Sequence, residues 1–86
     1  MRIYSKDEAE SVAKYYSEIL TGKPITPPGN SNPFPITSIE ITKQKDNEYT
    51  VHCLSKFIGN VLYVHIDEVI PKLDVLPVEE FLSNLD

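Results

Sequence analysis

Between residues 36 and 67 three short runs carry strand chemistry and are separated by turn formers, and this stretch constrains the fold more than any other. The runs are Ile36-Thr37-Ser38-Ile39-Glu40-Ile41-Thr42-Lys43, Tyr49-Thr50-Val51-His52-Cys53-Leu54-Ser55 and Val61-Leu62-Tyr63-Val64-His65-Ile66. Each is rich in β-branched and aromatic residues, so the stretch reads as a three-stranded antiparallel meander. A three-residue first turn, Lys45-Asp46-Asn47 with Asn47 left-handed, sets Ile39 against Cys53 and Ile41 against Val51. A two-residue turn would set Glu40 and Thr42 against them instead, and the hydrophobic pattern rejects that slip. Gly59-Asn60 fits a second turn with glycine first, pairing Phe57 with Leu62, Ser55 with Val64 and Cys53 with Ile66. Together these turns predict a core face of Ile39, Ile41, Tyr49, Val51, Cys53, Phe57, Leu62, Val64 and Ile66.

Ahead of the meander, Ser5 and Glu8 have the spacing of a capping box. Ala9, Val12, Ala13, Tyr16, Ile19 and Leu20 follow at helical period, and Gly22 suits the left-handed residue that closes a helix. Residues 22–35 hold five of the seven prolines. Proline fixes φ and removes a donor, so neither helix nor sheet is expected to run through this connection, and Ile25 and Phe34 are expected to pin it to the body. After Asp67 the chain could extend the last strand or make one helical turn before Pro71. Pro77 at a first helical position, then Glu79 and Glu80, with Val78, Phe81, Leu82 and Leu85 on one face, predicts a short docked helix. The expected fold is α+β, one domain over residues 1–86: an N-terminal helix packed on the meander, plus a short C-terminal helix.

At 86 residues the chain is long enough to bury one core. No apolar run approaches the roughly 20 residues of a membrane helix, and no membrane association is expected. The N-terminus lacks the apolar region of a signal peptide. The one cysteine, Cys53, is assigned to the core face and suits a reducing compartment, so the expected location is cytoplasmic.

The net charge of −5 is unevenly placed: charges balance through residue 66, after which Asp67, Glu68, Asp74, Glu79, Glu80 and Asp86 face only Lys72. With a single arginine there is no basic stripe to neutralise phosphates, so nucleic-acid binding is not expected. An acidic end of this kind serves solubility, or Asp74, Glu79, Glu80 and Asp86 meet a basic protein partner.

The predicted register places Glu40, His52, Tyr63, His65 and Asp67 together on the other face of the sheet. His52 is expected opposite both Glu40 and Asp67, with His65 diagonally adjacent beside Lys56 and Leu54 and Tyr63 two residues back. Directly opposed Cβ atoms lie about 5 Å apart and diagonal ones about 7 Å. Three readings follow. The patch is an exposed cross-strand charge ladder; His52 and His65 with two carboxylates hold a metal ion; or two carboxylates raise the His52 pKa and make it a pH switch.

Catalysis has little support. His52 and Cys53 are neighbours on a strand and point to opposite faces, so they cannot pair. Three scattered glycines build no phosphate loop, and no cofactor motif is present. Leu54, Val61 and Tyr63 add apolar material to the outer face, which suggests a cover, either the C-terminal helix or a second copy of the chain. The expected role is therefore a non-catalytic protein-interaction or regulatory module. The alternative is a small-molecule or metal binder centred on the histidines.

Overall fold

The computed structural model describes residues 1–26, 32–57 and 59–85, with only the backbone of Phe57. The chain is α+β. Helix α1 (Lys6–Leu20) is followed by two short strands, β1 (Pro24–Ile25) and β2 (Phe34–Pro35). The meander comes next: β3 (Ser38–Lys45), β4 (Glu48–Phe57) and β5 (Asn60–His65). A four-residue helix α2 (Ile66–Val69), a 3₁₀ turn (Ile70–Lys72) and helix α3 (Val78–Ser83) complete it.

Helix α1 starts where its cap dictates. The Glu8 amide donates to Ser5 Oγ at 3.2 Å and the Ser5 amide donates to Glu8 Oε1 at 2.9 Å. Ala9, Val12, Tyr16 and Leu20 are buried, and Gly22 just beyond takes φ +91°.

The first hairpin holds the predicted register, with Ile39 opposite Cys53, Ile41 opposite Val51, and Asn47 left-handed at φ 57°, but not the predicted three-residue turn: Lys45 belongs to β3 and pairs with Glu48, and an irregularity between Lys43 and Lys45 takes up the extra residue. The second does not. Phe57 pairs with Asn60, Ser55 with Leu62, Cys53 with Val64 and Leu54 with Tyr63, a shift of two residues from the expected alignment. A two-residue shift leaves every side chain on its own face, so hydrophobic alternation cannot detect it. Gly59 takes φ +70° as the residue just before Asn60, one place later in the turn than expected. Ile58, beside it, lies outside the described residues.

This shift frees Ile66 from the strand. It is fully buried as the first residue of α2, and Asp67 follows it into that helix. Of the two continuations open after Asp67, the chain takes the helical one, with Pro71 early in the 3₁₀ turn.

The proline segment also departs from expectation, because β1 and β2 pair as a ribbon, Pro24 with Pro35 and Ile25 with Phe34. The Ile36 amide donates to the Lys23 carbonyl at 2.9 Å one pair away. Ladder alternation then puts the two prolines at a pair that exchanges no hydrogen bonds, so their missing donors cost nothing there. Ile25 is buried, Phe34 is half-buried, and Ser55 Oγ donates to the Pro35 carbonyl at 2.7 Å. Ile25 joins the core as expected. Residues 27–31, including the Gly29-Asn30 turn expected there, lie outside the described residues.

The core gathers Tyr4, Val12, Tyr16 and Leu20 with Val51, Cys53, Ile66 and Val78. Ile41 remains 38% exposed and Ile39 half-buried, so the predicted core face holds at its centre and opens toward its edge. Burial pushes the Cys53 thiol up to about 12, which keeps it a neutral packing group. Helix α3 docks on α1: Phe81 stacks on Tyr15 with centroids 4.5 Å apart, and Val78 is buried. Pro77 is the cap residue of α3, not its first helical residue.

Two core tyrosines differ in their polar ends. Tyr16 donates its hydroxyl to the Leu76 carbonyl, whereas the Tyr4 hydroxyl is buried with no partner among the described residues. Burial raises the pKa of both, to about 12 for Tyr16. Tyr16→Phe is expected to cost about 1–2 kcal/mol, while Tyr4→Phe leaves stability unchanged or higher. Urea denaturation of the two variants checks this; an equal loss in both would contradict the difference.

Candidate functional site

The five patch residues come from three strands and one helix turn. Glu40 on β3 lies directly opposite His52 on β4, as predicted. The partner of His52 on its other side is His65, not Asp67. Because β5 is shifted by two residues, Tyr63 and not His65 stands opposite Leu54.

The two imidazoles meet with ring centroids 4.6 Å apart and planes tilted by 37°. Tyr63 presents its ring edge-on to His52 at 6.4 Å. Thr42 Oγ1 lies 3.4 Å from His52 Nδ1, a long contact. The Nδ1 atom of His65 is buried and has no hydrogen-bond partner among the described residues. Asp67, in the first turn of α2, places Oδ2 3.6 Å from the Met1 amino group. It sits near enough to act on His52 electrostatically, as does Glu40.

The sign of the electrostatics reverses the expectation. Burial, and then the facing His65, hold the His52 pKa below its ordinary value, while Glu40 and Asp67 oppose them without prevailing. The register accounts for the second of these causes: an imidazole occupies the position where a carboxylate was expected.

Clefts and chemistry are separated. One cleft of about 250 Å³ lies between β1, β5 and α2, lined by residues that include Ile25, Val64, Glu68, Val69 and Leu73. A second of about 260 Å³ runs along the C-terminal segment past Ile70, Val75 and Val78, with Asp67 and Glu79 among its lining residues. His52, His65, Tyr63 and Glu40 line neither. Among the described residues no three His, Cys, Asp or Glu side chains group so as to hold a metal ion, so the histidines stand as a pair.

The acidic end is partly engaged within the chain. Arg2 Nη1 donates to Glu79 Oε1 at 2.8 Å, and Asp74 and Glu80 are exposed. Asp86 lies outside the described residues.

The sequence reading did not single out Tyr4, although its amide and carbonyl each bond to Tyr49 at 2.8 Å and start the chain against β4. An isolated bridge of one residue leaves no periodic signal. Thr42, beside His52, was likewise read only as a strand residue. Comparison with protein-family models, with curated proteins and with solved structures found no match.

The lowered His52 pKa fixes the direction of a pH effect. A folded value below the unfolded one near 6.5 means that the unfolded chain binds the proton first. The stability tied to neutral His52 is present above about pH 6.5 and is lost as pH falls through the folded value. In chelator-containing buffer, the melting temperature of the wild type should drop more than that of His52→Gln between pH 7 and 5. Parallel curves would remove His52 from the account.

Proposed function

We propose that this chain is a non-catalytic protein-interaction or regulatory module that binds through the outer face and free edge of its sheet. The observation that carries this reading is the exposure of β5. Tyr63 is 59% and Val61 45% exposed, side by side on the outer face. The Phe57–Asn60 pair closes a two-residue connection and is hydrogen-bonded, so by alternation the pairs at Val61 and Tyr63 are not. Their N–H and C=O groups therefore point away from β4, and among the described residues no strand pairs with β5 on that side. Helix α3 docks on α1 and leaves this surface open.

The two edges of the sheet differ in charge. Strand β3 carries Glu40, Lys43 and Lys45, whereas β5 carries no formal charge, and charged residues are what usually keep an edge from pairing. An added strand from a protein partner satisfies the β5 edge, and a second copy of this chain is one such partner. The acidic end supports a basic partner less directly, because Glu79 is already bridged to Arg2. A cytoplasmic setting accords with the free, buried Cys53.

Affinity capture from the source cell with wild type, Tyr63→Lys and Glu79→Lys/Glu80→Lys baits tests this. A partner lost at least tenfold with Tyr63→Lys, and retained by the acidic-end variant, is the expected outcome. Light scattering shows whether that partner is a second copy. Loss confined to the acidic-end variant would move the interface away from the sheet.

A further inference from the structure

The His52–His65 pair points to an activity that does not depend on the protein-binding reading. We propose that these two imidazoles form an open, two-histidine chelate for a divalent transition-metal ion of the zinc and copper type. Both side chains are fixed by the backbone ladder, since they are directly opposed residues of β4 and β5. Nitrogens bound about 2.0–2.1 Å from one tetrahedral zinc ion lie roughly 3.3 Å from each other. Ring centroids 4.6 Å apart put the two imidazoles within range of such a separation.

The bonding state of the pair favours a ligand. His65 Nδ1 is buried without a partner among the described residues, and such an atom costs free energy until something coordinates it or donates to it. His52 Nδ1 has only the 3.4 Å contact with Thr42 Oγ1 to displace. Glu40 from β3 lies directly opposite His52, which puts a carboxylate beside the pair.

Imidazole selects for zinc, copper and nickel over magnesium and calcium, which take oxygen ligands. With no third protein ligand grouped nearby among the described residues, two of four coordination positions stay open. Water fills them in the free protein, and an outside side chain could replace it. This sets the site apart from a closed structural zinc centre.

The full chain, stripped with chelator, is titrated with Zn²⁺ by calorimetry and followed by thermal melting. One saturable site per chain is expected, with a melting temperature raised by roughly 15 °C at a hundredfold excess over the dissociation constant. His52→Asn and His65→Asn should each weaken binding tenfold or more, and Mg²⁺ should do nothing.

Both side chains are half-buried, so a second readout uses the unaltered protein. Substoichiometric Cu²⁺ should broaden the ring NMR signals of His52, His65 and Tyr63 before those of Tyr15 on α1. Absent saturable heat, equal binding by the double variant, an equal response to Mg²⁺, or broadening that begins away from these three rings would each overturn the proposal.

Discussion

Everything on the sheet follows from how β4 is held. It is paired on both sides, and the burial of Val51 and Cys53 beneath α1 decides which way each of its residues faces. Strand alternation then leaves His52 no choice but the opposite face. At roughly 25 cal/mol per Å² of apolar surface, exposing those two core side chains would outweigh any gain from rearranging an exposed polar ladder. The polar patch is thus a by-product of core packing before it is anything else. Its composition is where sequence could vary freely, and its geometry is not.

The parts of the fold that were legible from sequence are those where a one-residue error would have been costly. A slip of one in the β3–β4 hairpin would have turned Ile39 and Ile41 outward, so the pattern and the left-handed Asn47 sufficed for the register even though Lys45 pairs with Glu48 instead of entering the turn. The β4–β5 hairpin differs because a slip of two keeps Leu62 and Val64 inward. Only the turn could decide, and one glycine serves at either central position according to turn type. The β1–β2 ribbon was hidden because prolines argue against strands in general. They are tolerated at the one pair where no donor is needed.

That small ambiguity had a large effect on the candidate site. Glu40 stands opposite His52, as the pattern of the first hairpin predicts. Moving β5 by two residues brought His65 to His52 and sent Asp67 into α2. Burial of His52, and then a facing imidazole in place of a carboxylate, set the direction of its shift opposite to the one expected. Membership of a face is fixed by periodicity, but the chemistry of a cross-strand pair is fixed by exact opposition. Only the first of these can be read without the turn.

The same shift bears on where a partner could reach the sheet. It places Tyr63 against Leu54, which is 4% exposed, so the tyrosine stands beside a closed apolar floor and is itself open to solvent. Toward one end of β5 lies Val61, opposite Lys56, and toward the other lies the imidazole pair. An incoming strand at this edge would therefore meet two apolar side chains and then the imidazole pair within five residues. An acidic or histidine side chain carried at the right place on such a strand could complete the coordination of an ion held by His52 and His65. Backbone pairing and metal ligation would then be coupled, each raising the affinity of the other by the same factor, as linkage requires.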